Sequence, residues 1–333
     1  MNSPALPQIS VVVPTYRRPD LLRRCVGALL AQSLGPANFE VIVVDDGHDD
    51  ATRAAFDAMA REAHDYCLRY LRPARGRGPA VARNCGWLGA RSHLIAFTDD
   101  DTIPAHDWLA TGLRAMSDSS CVALAGRVVV PPATGNPDDP PTDHERMTQG
   151  LASAVFVTAN AFVRRAALER VGGFDERFRR AWREDSDLQF RLQRDVGDVG
   201  RCDDAVVVHP VRRERWGASL RQQKNVFYDA LLYREHPQRY RAELRPRPPW
   251  NYHLIVLFTA GAGALAFAGR PAAALGSLSA ALVLVGLFAR KRLNGTARTP
   301  SHVAEMLATS ALIPFLSVYW RLRGAWHFRV WFP

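Results

Sequence analysis

Cysteine is scarce and irregularly placed: Cys25, Cys67, Cys85, Cys121 and Cys202 lie far apart, with no Cys-x-x-Cys pair among them. An odd, dispersed set excludes a disulfide framework and a cysteine-built zinc site, and fits a reducing compartment. A secretory leader is also lacking. The apolar burst at residues 9–13 has no basic segment before it and stops at Pro14, short of the roughly 7–15 apolar residues a leader needs. Acidic residues fall short of basic ones, 33 Asp and Glu against 43 Lys and Arg, for a net charge of +10. Such an excess implies an anionic partner: nucleic acid, phospholipid headgroups or a phosphorylated substrate. Charge is nearly missing from residues 251–269 and 271–289, which only Arg270 separates. At about 1.5 Å per residue each run reaches about 28 Å as a helix, close to a bilayer's hydrocarbon thickness.

The 333 residues, 47% hydrophobic, suffice for one large core with a separate region beyond it. Short β-branched runs at 9–13, 40–44, 66–71, 94–98 and 122–130 read as strands. The intervening stretches 20–32, 50–64 and 79–91 read as helices. This alternation predicts an α/β fold with a Rossmann-like, mostly parallel, doubly wound sheet, whose ligands bind beyond the carboxyl ends of the strands. Residues 131–142, PPATGNPDDPPT, can form only a loop, either over the site or between two halves. A strand near 155–163, helices at 166–171 and 185–196, and a strand at 205–208 follow.

The two uncharged runs predict a tight transmembrane helical hairpin. Trp250 and Tyr252 stand where an aromatic belt belongs, and Arg245, Arg247, Arg290, Lys291 and Arg292 flank the open ends, which should therefore be cytoplasmic. A buried soluble hairpin is the alternative, since both runs are rich in Ala and Gly. The run 306–320 contains Pro314 and precedes Arg321, Arg323, Trp326, Arg329 and Trp331, a pattern of an interfacial amphipathic helix. Residues 212–247 hold ten basic and four acidic side chains, Arg213 among the former. Crowded beside the hairpin and not interleaved with sheet aromatics, this charge suits anionic membrane lipid and argues against nucleic acid.

Four polar clusters fall where such a sheet binds ligands. Asp45-Asp46-Gly47 follows a strand, although Asp-Gly is also ordinary turn chemistry. Asp99-Asp100-Asp101 follows another; three adjacent carboxylates repel unless a cation neutralises them, and a divalent ion holding phosphates would. A solvated acidic turn is the alternative. Arg83, in Gly78-Pro79-Ala80-Val81-Ala82-Arg83-Asn84, offers a planar fork for oxygen ligands from early in a helix, or is a surface arginine. In Glu184-Asp185-Ser186-Asp187-Leu188, Asp185 is either functional or a helix cap.

Together with Pro14-Thr15-Tyr16 after the first strand and Val171-Gly172-Gly173-Phe174-Asp175-Glu176, these clusters resemble, in order, the inverting family 2 glycosyltransferases of GT-A fold, over residues 7–216. The resemblance implies a nucleoside-diphosphate sugar donor. It places Tyr16, Asp45 or Asp46, and Arg83 at the nucleobase and ribose, makes Asp99 and Asp101 the D-x-D pair at the ribose and a Mn2+ or Mg2+ ion, and adds Pro14 and Asp100, with Asp45, Asp46 and Asp99, to the substrate-binding residues. It makes His209 a further metal ligand or a structural histidine. It also makes Asp185 the general base beside Glu184, with Gly173 in the wall of the acceptor pocket. His48 departs from the Ser usual in the family, and Arg212 stands where processive synthases carry Gln before Arg215-Trp216, so single-sugar transfer is expected.

The implied organisation is a catalytic domain over 1–240, with a nucleotide half at 7–130 and an acceptor half at 143–216. A basic linker at 241–250, the hairpin at 251–289 and a basic, interfacial tail at 290–333 follow. A chain ending near Arg241 should then stay soluble and bind donor. A polyprenyl-linked acceptor at the cytoplasmic membrane fits this layout, while a non-catalytic, membrane-tethered scaffold of the same fold is the rival reading.

Overall fold

The computed structural model describes residues 6–212, 214–245 and 247–332; Arg213, part of the basic segment, lies outside them. The chain divides into two compact units, one of residues 1–131 and 149–210, the other of residues 132–148 and 211–333.

The first unit is built on eight strands: β1 (Ile9–Thr15), β2 (Phe39–Asp45), β3 (Cys67–Leu71), β4 (Leu94–Thr98), β5 (Ile103–Pro104), β6 (Ala123–Val129), β7 (Asn160–Arg164) and β8 (Val199–Val208). Its helices are α1 (Pro19–Leu30), α2 (Asp50–Glu62), α3 (Pro79–Gly89), α4 (Trp108–Asp118), α6 (Arg165–Val171) and α7 (Glu184–Asp195), while α5 (Asp143–Gln149) belongs, but for its last residue, to the second unit. The strands form one mixed sheet in the order β3-β2-β1-β4-β7-β6-β8-β5. Parallel pairing runs through β3, β2, β1 and β4, and again between β6 and β8; β7 is antiparallel to β4 and β6, and β5 to β8.

Alternation along the strands divides the core. Val11, Val13, Val41 and Val43 pack under α1, α2 and α4 on one face, while Val12, Ile42, Val44 and Phe97 pack under α3, α6 and α7 on the other. Three features were not anticipated. Helix α4 buries Trp108, Leu109, Gly112 and Met116 at helical spacing, yet no cap flags it. The strand expected from 155 starts only at Asn160, because Phe156 and Val157 are buried as coil and the Thr158 amide is engaged by Asp185. The strand expected at 205–208 begins six residues earlier.

The second unit contains α8 (Ala218–Gln222), α9 (Val226–Glu235), α10 (Pro237–Arg239), a wide turn Tyr240–Leu244, α11 (Trp250–Phe267), α12 (Pro271–Leu293) and α13 (Pro300–His327). By length and composition α11, α12 and α13 can each cross a membrane. Helices α11 and α12 pack along each other as the hairpin, and the run expected at 306–320 is part of the longer α13, continuous through Pro314. One face of α13 buries His302, Met306, Thr309, Ser310, Ile313, Ser317 and Arg321; Leu307, Leu312, Phe315, Tyr319 and Leu322 are exposed on it. Arg292, at the end of α12, bonds Thr309 and Ser310 of α13, Ser219 of α8 and, at 2.7 Å, Asp143. Arg146 reaches the carbonyls of Arg292 and Asn294, which ties the 132–148 segment into this unit.

Candidate active site

Strand register brings the polar clusters to one edge of the sheet. Thr15 pairs with Asp45 at the ends of β1 and β2, and Thr98 at the end of β4 pairs with Asn160 at the start of β7. Val129 of β6 and Ile103 of β5 both pair with Val208, so His209 emerges at the same edge.

Asp99, Asp101 and His209 each offer a ligand atom within 4.8 Å of the others. His209 is buried, its Nε2 is 3.4 Å from an Asp101 oxygen, and its Nδ1 has no hydrogen-bond partner in the protein. Two carboxylates and an imidazole form a hard, oxygen-rich donor set suited to a divalent cation, and an orphaned ring nitrogen among carboxylates fits that use. Asp100 points elsewhere, accepting from the Thr15 hydroxyl at 2.7 Å and from Arg18 at 3.4 Å. Burial and the neighbouring Asp101 push its carboxyl up to about 6, against the pull of Thr15 and Arg18.

Arg83 links this cluster to the next. From the first turns of α3 its guanidinium donates to Asp99 at 2.9 Å and to Glu184 at 3.0 Å, although Arg83 is only 3% exposed. Burial disfavours its charge, but Asp99, Asp185 and Glu184 outweigh that and hold it firmly protonated. Glu184 and Asp185 open α7. Burial and the adjacent Asp185 raise the Glu184 carboxyl, with Arg83 opposing. Burial likewise raises Asp185, offset by Arg83 and by Thr158, whose amide and hydroxyl donate at 3.1 and 2.7 Å, and reinforced by Asp99.

The other predicted residues have different surroundings. Asp45 is buried and accepts from the Gly47 and Asp49 amides and the Tyr70 hydroxyl, so it organises its own turn. Asp46 takes the Gly78 amide on both oxygens. Gly78 (φ 119°) packs its Cα against the Arg179 backbone, where a Cβ would sit 3.0 Å from a carbonyl. Tyr16 is exposed and Pro14 half-buried at the end of β1. Gly173 (φ 72°) lies against Asn84 and Trp87, where a Cβ would come within 2.5 Å of the Asn84 amide oxygen, and its carbonyl takes Arg191. Thr158, Thr15 and Arg18 were not singled out from the sequence; a threonine in an apolar run or an arginine in a turn carries no signal of its own.

A Glycosyl transferase family 2 profile matches residues 10–172, and a Glycosyl transferase family group 2 profile matches residues 94–322, more than half of the chain. The chain belongs to glycosyl transferase family group 2. This glycosyl transferase is 30% identical over 176 residues to glycosyltransferase AglE of Haloferax volcanii, covering 51% of this chain and 56% of that protein. It is 29% identical over 220 residues to validoxylamine A glucosyltransferase of Streptomyces hygroscopicus subsp. limoneus, covering 56% and 48%. A dolichyl-phosphate beta-glucosyltransferase of Drosophila melanogaster is 34% identical over 125 residues, covering 35% and 38%. The chain thus spans about half the length, or less, of these curated relatives. Among solved structures, mannosyltransferase PcManGT from Pyrobaculum calidifontis, in complex with GDP-Man and Mn2+, superposes with a TM-score of 0.59 at 19% identity, over 97% of this chain and 88% of that one. That likeness establishes the GT-A fold.

Proposed function

We propose that this glycosyl transferase moves one sugar from a nucleoside-diphosphate donor to a polyprenyl-linked acceptor at the cytoplasmic face of a membrane, with inversion. The carrying observation is Arg83, whose fork joins the Asp99 side of the metal-type cluster to the Glu184-Asp185 pair. A site needing only fold stability has no use for a buried arginine that bonds two carboxylates, with a third nearby, beside an orphaned imidazole.

Asp99, Asp101 and His209 would hold the divalent cation, Mn2+ or Mg2+, which when bound offsets charge on the diphosphate leaving group. Asp185, oriented by Thr158, accepts the proton of the acceptor hydroxyl as that oxygen attacks the anomeric carbon. Arg83 keeps Asp99 and Glu184 in place and tempers the repulsion between Glu184 and Asp185. Tyr16, with Asp45 and Asp46 behind it, is assigned to the nucleoside. GDP-Man and Mn2+ in the structural neighbour, and dolichyl phosphate in the name of one relative, support the donor and acceptor classes. The basic ends of the hairpin support the cytoplasmic side and an anionic lipid surface. A reporter fused at Asn294 should accordingly behave as cytoplasmic.

The test separates the two carboxylate roles. Asp101→Asn should weaken metal-dependent nucleotide binding and abolish turnover. Asp185→Asn should bind donor like the parent and lose turnover by about 10²–10⁴-fold. Calorimetric donor binding with Mn2+ and turnover on a panel of nucleotide sugars read both; near-full activity in Asp185→Asn would refute the assignment.

A further inference from the structure

In the second unit a cavity of about 90 Å³ opens between the end of α9, the wide turn Tyr240–Leu244, the residues leading into α11, and α13. Arg241, Arg245, Arg247 and Arg321 line it, with aromatic walls from Tyr233, Tyr240 and Phe332 and no carboxylate among the lining residues. Arg321 is 1% exposed, its guanidinium 4.4 Å from the Phe332 ring centroid. Arg241 lies 5.0 Å over the Tyr233 ring and donates to its hydroxyl. Two acids are near: Glu243 is engaged by Arg239 at 2.8 Å, and buried Asp229 acts on Arg321. Arg321 is buried while Arg241, Arg245 and Arg247 stand exposed at the mouth, and four guanidinium groups converging on one small space favour an anion there. The volume equals about three waters at ~30 Å³ each, the scale of a tetrahedral oxyanion, and guanidinium forks match such an anion's oxygens.

The surroundings specify what carries the anion. Pro248, on the cavity wall, lies two residues before α11, whose first residue, Trp250, is exposed. On the face of α13 turned away from buried Arg321, Leu312, Phe315, Tyr319 and Leu322 present apolar surface, and Trp326 and Trp331 are 88% and 84% exposed. Exposed indoles beside arginines mark the headgroup level of a bilayer. The geometry points to a site for the phosphoryl headgroup of an anionic membrane lipid, held by Arg241, Arg245, Arg247 and Arg321 at the level of the exposed indoles. This rests on the reading of α11 and α12 as a membrane hairpin and adds to it a built site in place of diffuse attraction.

The full chain in neutral detergent is titrated with short-chain phosphatidic acid, with the matching diacylglycerol, and with inorganic phosphate, following the thermal unfolding midpoint. Phosphatidic acid should raise the midpoint saturably, diacylglycerol should not, and inorganic phosphate should need at least about tenfold more for the same rise. Arg245→Gln/Arg247→Gln changes two exposed side chains and should weaken the phosphatidic acid response at least about tenfold; either single substitution gives the same reading at smaller size if the double variant is unstable. An equal response to inorganic phosphate would make this a free-phosphate site, and an equal response to diacylglycerol, or an unaltered response in the variants, would also overturn the proposal. Flotation with phosphatidylcholine vesicles separates the two readings. A chain that does not float refutes the hairpin, and a chain that floats but ignores phosphatidic acid refutes the headgroup site alone.

Discussion

Asp185 and Asp187 share the first turns of α7 but work in different directions. Asp185 is half-buried and faces Thr158; Asp187 is 1% exposed and holds Arg191 at 2.6 Å, and Arg191 in turn bonds the carbonyls of Val171 and Gly173. Asp187, two places along the same helix, faces away from Asp185, and its surroundings give it a structural role. Asp187→Asn should lower stability by about 1–3 kcal/mol, since a charge-assisted bond is weakened, with the turnover of the folded fraction preserved. Thermal unfolding beside specific activity checks this. Thr158→Val tests the base more finely. Asp185 must be deprotonated to accept a proton, and removing the hydroxyl that stabilises its charged form raises its pKa further. The acid limb of the turnover profile should move upward by about one to two pH units, from a charged hydrogen bond of about 1.5–3 kcal/mol, with the alkaline plateau nearly unchanged. An unmoved limb would remove Asp185 from proton transfer.

At the scale of elements, what the sequence announces depends on how far the physical cause reaches. Strands β1, β2 and β4 carry their burial in their own β-branched runs, and the acidic residues at the ends of β2 and β4 are legible because repulsion among neighbours demands a cause nearby. The fork of Arg83 is long-range, joining side chains 16 and 101 positions away, and no local pattern records it. The late start of β7 and the orientation of Asp185 by Thr158 are likewise tertiary. Helix α4 is held by its buried face, since its N-cap residue, Asp107, makes no side-chain capping bond. Arg292 is the same lesson in the second unit. It read as topology-setting charge, yet it is buried and joins α12 to α13, α8 and Asp143. Arg292→Ala leaves Asp143 without that partner and should destabilise the unit by about 3–5 kcal/mol, seen as faster proteolysis within residues 132–142 and a lower unfolding midpoint.

For the whole molecule, the division into units alters where the chain can be shortened. The second compact unit takes in residues 132–148 and everything from Val211 onward. Helix α9 buries Tyr228, Ala230, Leu231 and Leu232 and packs against α13. A chain ending at Arg241 would uncover that face, and it should aggregate where the sequence alone suggested greater solubility; size-exclusion chromatography of the shortened chain decides. The hairpin has one more consequence. A transferase fixed in a leaflet searches in two dimensions, so with the proposed lipid-linked acceptor its rate should follow the number of acceptors per unit of membrane area. Diluting reaction vesicles tenfold with buffer should leave turnover per enzyme unchanged at saturating donor. Diluting the acceptor tenfold with inert lipid, inside the same vesicles, should slow it by up to the same factor.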